Sequence, residues 1–279
     1  MPLADAILRA VVRTVPDPQT AQANKLGKLF PKPQVSVPST GTSENGAHQV
    51  RQVTSEQTGQ VQQTVERIKG SVAACTSAED EDVIVFVSKM IPVRVAELSP
   101  VDAAFFQANG LADDGTTQQH SDEYAGDKEV FLALGRVFAG TLRSHHNRSM
   151  YVLGHHYNPY EYTEGDAVNA KSRVQLVGMP ESLGLYMCLG PSVCPVSCVP
   201  AGNVVAIFGL DKYILKSATL SSTPLSFPMT AITFQTKPML RVAVEPAHHH
   251  DLHNLEEGMK KLYQYDPVVE VSGCCHSSS

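Results

Sequence analysis

A period-two run carrying two glycines, Lys128 to Gly154 (KEVFLALGRVFAGTLRSHHNRSMYVLG), constrains this chain more than any other stretch. Leu134, Phe138 and Leu142 fall on one side of the alternation, with Arg136 and Gly140 between them. Ala133, Val137, Ala139 and Thr141 fall on the other. That pattern predicts a strand covered on one face and at least partly covered on the second. Gly135 and Gly140 would weaken an ordinary strand, so they predict a bulge or the sharp bend of a small closed barrel. Ser144 to Ser149 then read as a polar turn, and Met150 to Leu153 as the returning strand of a hairpin.

Other strand signals fit that barrel. Val83 to Met90 is a continuous β-branched run, as expected of a strand covered on both faces. Val174 to Val177, Leu183 to Leu189, the turn and strand from Val199 to Leu210, and Tyr213 to Thr219 supply further short strands. Short strands separated by turns describe a small Greek-key or related barrel. Val95 to Asp127, rich in turn residues, reads as an insertion between the first strand and the hairpin.

On the N-terminal side, Pro2 to Val15 predicts an amphipathic helix with Leu3, Ile7, Ala10 and Val11 in one stripe, stopped by Pro16 and Pro18. Residues 19–60 read as a flexible linker of Ser, Thr, Gln, Gly and Asn. Val61, Val65, Ile68 and Val72 then recur at helical spacing, and Glu79 to Asp82 form an acidic, solvated loop. On the C-terminal side, Met239 to Val244 and Val268 to Val271 predict strands that flank a helix from Asp251 to Gln264. Such a β-α-β unit cannot close a core by itself. The segment from Met229 to Ser279 is therefore expected to expose apolar surface and to promote association.

Composition narrows the function classes. A chain of 279 residues, 42% of them apolar, has room for one large or two ordinary domains. A net charge of -6 and a pI near 6.0 argue against a generally basic nucleic-acid binder but allow a local basic patch. The six cysteines include no C-x-x-C pair and are too few for a disulfide scaffold at this length, so they read as reduced thiols. No segment approaches the roughly 20 apolar residues that span a bilayer, and the N-terminus lacks the order of a secretory signal. The expectation is a soluble, cytoplasmic protein.

With these elements placed, several blocks carry a resemblance. They are Pro2-Leu-Ala-Asp-Ala-Ile-Leu with Pro16-Asp-Pro-Gln-Thr-Ala-Gln, Val85-Phe-Val-Ser-Lys-Met, Gly135-Arg-Val-Phe-Ala-Gly and Val199-Pro-Ala-Gly-Asn-Val-Val-Ala-Ile. Lys216-Ser-Ala-Thr-Leu, Leu240-Arg-Val-Ala-Val-Glu-Pro and Gly258-Met-Lys-Lys-Leu with Asp266-Pro complete the set. In this order they resemble the middle of the translational GTPases of the elongation factor 2 type. Val85-Phe-Val-Ser-Lys-Met and Lys216-Ser-Ala-Thr-Leu look more like the elongation-factor-like branch that matures the large ribosomal subunit. A fragment of the elongation factor that drives translocation is the alternative.

The resemblance implies a mainly β chain: a translation-protein-type barrel followed by a truncated ferredoxin-like α+β half domain. Residues 1–18 would be the end of a GTPase domain, 61–228 the domain II-like barrel with its insertion at 95–127, 229–272 the first β-α-β of a domain III-like module, and 273–279 a tail. It also implies a ribosome-binding role in releasing an anti-association factor during cytoplasmic maturation of the large subunit. The partners would be ribosomal RNA and ribosomal protein, with neither DNA nor membrane. Nothing in the chain fits G-x-x-x-x-G-K-[ST], because Gly110 to Gly115 is followed by Thr116 and Thr117 and lacks the lysine that reaches the phosphates. The expectation is no catalytic residue and no cofactor in this chain, GTP belonging to the full-length family.

Two side-chain clusters invite a sharper function. Arg136, Arg143, His145, His146 and Arg148 gather at or near the hairpin tip, where a basic loop suits phosphate contact. Among the eleven histidines, His145-His146, His155-His156 and His248-His249-His250 with His253 suggest a metal, since His249 and His253 are four residues apart. No acid or cysteine completes such a set, so no metal is expected, and Cys188, Cys194 and Cys198 read as buried small hydrophobes.

Overall fold

The computed structural model describes residues 2–30, 55–110, 129–145, 149–155, 157–161, 174–176, 183–190, 192–230, 240–266 and 268–272. Two eleven-residue strands form its centre, β1 (Ile84–Arg94) and β2 (Glu129–Ala139). They pair antiparallel along their whole length, with register shifts at Ile84/Val85 and Val87/Lys89. The second shift lies beside Gly135, where a Cβ would come within 2.8 Å of Phe86 O. Glycine is what lets the two backbones approach there.

Among the described residues, eight shorter strands accompany them: β3 (Thr141–Arg143), β4 (Tyr151–Leu153), β5 (Val174–Leu176), β6 (Leu185–Leu189), β7 (Ser192–Pro195), β8 (Cys198–Pro200), β9 (Val204–Ile207) and β10 (Ala218–Ser221). One antiparallel sheet runs β5-β4-β10-β1-β2-β9-β6-β7, and β3 pairs with β8 in a separate ribbon. Strands β4 and β6 stand five positions apart, about 24 Å in a flat sheet. Yet Val152 of β4 and Leu185 of β6 join one buried cluster with Val85, Val137, Leu142, Val199, Ile207 and Leu220. The sheet curls around that interior as a barrel.

Alternation along β1 explains its composition. Val83, just before the strand, Val85 and Val87 face the interior, while Ile84 and Phe86 face a second cluster with Phe138 and Met229. That outer cluster is closed by α3 (Ser55–Ala74), whose Ile68 and Val72 pack in it, and by Phe30 at the end of α2 (Pro18–Leu29). The stripe Val61, Val65, Ile68 and Val72 is buried, as its spacing predicts.

Several expectations are corrected. The run around Gly140 is not a hairpin: β4 pairs with β10 and β5, and β3 with β8, so the chain leaves its sheet after β2. Gly140 causes the departure, with φ +71° and a would-be Cβ 2.8 Å from Asp82 O. Past this bend the faces exchange, and Leu142 enters the interior with Ala133 and Val137 instead of following Leu134 and Phe138 outward. Strand β10 begins at Ala218, and residues 213–217 are turn and coil.

The expected linker at 19–60 is helical at both ends, because 18–29 form α2 and 55–60 open α3; residues 31–54 lie outside the described set. Asp17 caps α2 by accepting from Thr20 N–H at 2.7 Å, and Pro18 takes its first turn. Asp17-Pro18 thus starts a helix as well as stopping α1 (Leu3–Thr14). Those bonds hold the Asp17 carboxyl below its usual range. Buried Gln22 then locks α2 in place by donating to Val72 O at 2.6 Å and Phe138 O at 3.0 Å. In α1 no residue is buried, and Leu3, Ile7, Leu8, Val11 and Val12 are exposed.

The expected insertion at 95–127 carries α4 (Pro100–Gly110), whose Ala103, Phe105 and Phe106 pack on a third cluster with Val93, Leu132, Tyr186 and Phe208. Residues 111–128 lie outside the described set. In the C-terminal part the expected helix forms, α5 (Leu252–Tyr265), preceded by a 3-10 turn at His249–Asp251. Residues 240–244 and 268–271, expected as strands, join no ladder among the described residues, and a strand without a neighbour has no partner for its backbone groups. Helix α5 docks through Gln264, which donates to Asp211 O at 2.8 Å and Ile214 O at 3.1 Å. Lys216 adds a contact with its Nζ 4.0 Å from the Tyr263 ring centre.

Candidate ribosome-contact site at the end of β3

Of the basic residues singled out in the sequence, Arg136, Arg143 and His145 are described, and Arg136 stands apart from the other two. Arg136 lies mid-strand in β2, half-buried against α2. Its guanidinium sits 5.2 Å from the Phe138 ring centre and donates to Gln22 Oε1 at 3.4 Å. It braces α2, while Arg143 and His145 lie beyond the Gly140 bend. His146 and Arg148 fall outside the described residues.

Arg143 ends β3 opposite Cys198, and its guanidinium pairs with Glu79. Both side chains are open to solvent, at 41% and 70% exposure. Such a pair contributes about 0–1 kcal/mol and yields readily to a phosphate. The acidic loop is also less free than expected. Asp82 forms an ion pair with Arg67 at 2.5 Å and accepts a hydrogen bond from Ser222 at 2.9 Å, and Glu81 accepts from Ser71.

His145 follows with φ +49°, a left-handed conformation rare outside glycine. Two backbone bonds hold the turn, Ser144 N–H to Ser197 O at 2.9 Å and His145 N–H to Leu183 O at 3.1 Å. Its Nε2 lies 3.7 Å from Asp102 Oδ1, an ion pair when the ring is protonated.

Buried Asp102 belongs to the first turn of α4, and the sequence Ser99-Pro100-Val101-Asp102 builds its surroundings. Ser99 Oγ accepts from Asp102 N–H at 3.2 Å and donates to Asp102 Oδ2 at 2.8 Å, a reciprocal cap. Tyr186 Oη donates to the same carboxylate oxygen and accepts from Ser99 N–H at 2.9 Å. Burial, reinforced by the hydrogen bond to Asp102, pushes the Tyr186 pKa up to about 12. Gly184 leaves the space, since a Cβ there would lie 2.3 Å from Asp102 Oδ2. Asp102 therefore ties α4, β6 and the turn carrying His145 into one unit. The Ser-Pro-x-Asp cap was the sequence signal for it, overlooked within a stretch read as an insertion.

No nucleophile and base pair emerges from this arrangement; it can present a cation at a surface and fix a turn. Among the described residues, no group of three or more His, Cys, Asp and Glu could hold a metal ion. Cys188, Cys194 and Cys198, expected to be buried, are exposed: the far end of β6 and its partner β7 are open on both faces, and in β8 Val199 takes the buried position. No helix among the described residues is long and apolar enough to cross a membrane.

Ribosome assembly protein 1 of Schizosaccharomyces pombe is 25% identical over 298 aligned residues, which cover 98% of this chain and 26% of that protein. Elongation factor-like GTPase 1 of Mus musculus is 34% identical over 161 residues, and that of Homo sapiens 36% over 151. The chain is thus similar to a ribosome assembly protein and to two elongation factor-like GTPases. It spans about a quarter of the yeast relative, and the matches to the mouse and human proteins cover 14% and 13% of their lengths. No family model matches it. Likeness to the ribosome assembly protein extends over 98% of the chain, whereas the matches to the two elongation factor-like GTPases cover 56% and 52% of it.

Proposed function

We propose that this chain is the ribosome-binding portion of an elongation-factor-like GTPase that acts in cytoplasmic maturation of the large ribosomal subunit, in the release of an anti-association factor. The match to a ribosome assembly protein over 98% of the chain carries this reading. In it, residues 1–18 end a GTPase domain, 61–228 form the domain II-like barrel and 229–272 begin a domain III-like module. GTP chemistry belongs to the longer protein; this part transmits the change to ribosomal RNA and protein. Arg143 and His145, with His146 and Arg148, make the phosphate contact, while Arg136 braces α2 against the outside of the barrel.

The R143E/R148E variant tests the contact. Its affinity for large subunits is expected to fall about tenfold or more in low salt, and the slope of log affinity against log salt to flatten by roughly two. R136E is not used, because that side chain braces Gln22 and Phe138. Unchanged binding by R143E/R148E would remove the loop from the interface.

A further inference from the structure

Ser77 opens the run Ser77-Ala-Glu-Asp-Glu-Asp, in which carboxylates fill the second to fifth positions after the hydroxyl. A protein kinase with a basic substrate groove selects such runs, because each acid after the serine meets a cation of the groove. The fold leaves the first part of the run accessible. Ser77, Ala78, Glu79 and Asp80 are exposed and lie between α3 and β1, outside helix and strand. Glu81 and Asp82 are drawn toward Arg67, at 3.7 and 2.5 Å. Ser99 also precedes an acid by three positions, but it is half-buried and its hydroxyl donates to Asp102 at 2.8 Å.

The same loop lies along β3. Thr141 Oγ1 donates to Ser77 O at 2.7 Å, and Arg143, on the same face of that strand, pairs with Glu79. Neighbouring same-face positions of a strand are about 7 Å apart, a span that an arginine side chain covers. A phosphate on Ser77 carries a charge of about −1.5 to −2 and three acceptor oxygens, against the single charge of the Glu79 carboxylate. Glu79 and Asp80 face it from its own loop and Arg143 from β3, so the guanidinium offsets the added charge.

We propose that Ser77 is a phosphorylation site for an acid-directed serine kinase and that its phosphate takes Arg143 from Glu79. Ser77 Oγ attacks the γ-phosphorus of ATP. The Oγ–P bond forms as the bond from that phosphorus to the bridging oxygen breaks, ADP leaves, and the hydroxyl proton passes to the kinase's base. The event also withdraws Arg143 from ribosomal RNA, a consequence that rests on the proposed ribosomal contact; the site itself does not.

Treating the full chain with ATP and casein kinase 2, a kinase of that class, tests the site, with a synthetic peptide of residues 72–84 as the control for kinase activity. Fragment masses are expected to place a phosphate on Ser77, and Asp80→Asn to slow that labelling about tenfold or more. Labelling of the peptide but not of Ser77 in the folded chain, or labelling indifferent to Asp80→Asn, would overturn the site. The phosphorus resonance of the product, assigned by its absence from Ser77→Ala, tests the capture of Arg143. Its titration midpoint is expected to rise by about half a unit or more in R143Q, which lacks the cation that favours the dianion. An equal midpoint with and without the guanidinium would overturn the capture. Neither measurement uses a ribosome, so both decide the proposal even if the ribosomal reading fails.

Discussion

Replacing Gly140 with alanine is expected to destabilise the barrel by about 2–4 kcal/mol, the combined cost of a left-handed non-glycine residue and a backbone forced apart. The new Cβ would lie 2.8 Å from Asp82 O and 3.0 Å from Val83 Cα, and both are main-chain atoms with little freedom to retreat. The position also carries structure. Gly140 N–H donates to Thr76 O at 2.7 Å, and its carbonyl accepts from Ala201 N–H at 3.0 Å. A shift there disturbs the turns after α3 and β8 together. Urea unfolding should show a lower midpoint with an unchanged slope, the sign of lost stability without altered compactness. A midpoint equal to that of the original would mean that the bend is not set by this residue.

The second large effect concerns Tyr186. Its hydroxyl is the hub between Asp102 and Ser99, so Tyr186→Phe leaves the Ser99 N–H without this partner and the Asp102 carboxylate with one donor fewer. A loss of about 1–3 kcal/mol at neutral pH is expected. The alkaline limb is more specific. The folded-state pKa is raised to about 12 from 10.0. Its contribution is therefore fully present below pH 10 and lost as pH rises toward 12, a fall of about 3 kcal/mol. Denaturation midpoints measured from pH 9 to 12 should fall less steeply in the phenylalanine variant. Parallel curves would show that the hydroxyl is not held protonated by its surroundings.

Legibility in the sequence follows how local each determinant is. The helix α3 and the strand β1 could be read directly, because spacing 3.6 and an unbroken β-branched run are signals within a few residues of one another. Gly135 and Gly140 announced a bulge and a bend. What they could not announce was the partner: whether β3 turns back on β4 or crosses to β8 depends on a register set tens of residues away. The exchange of faces at Leu142 follows from that bend and was hidden with it. Helix α2 carries no apolar stripe in its sequence, and its anchor, Gln22, is polar. Its burial makes sense only beside Val72 O and Phe138 O. Of the candidate site, the charges of Arg143 and His145 were visible, but their support was not. Asp102 and Tyr186 are 84 residues apart in sequence, and only folding joins them. Arg136 looked equivalent to Arg143 because period-two spacing says nothing about which end of a strand meets a helix.

On the proposed function this chain itself engages the large ribosomal subunit, which pelleting the purified chain with isolated subunits measures. Saturable co-sedimentation with large subunits, little with small ones, and a steep loss as salt is raised are expected. Failure to pellet with large subunits in low salt, or equal binding to both, would contradict it.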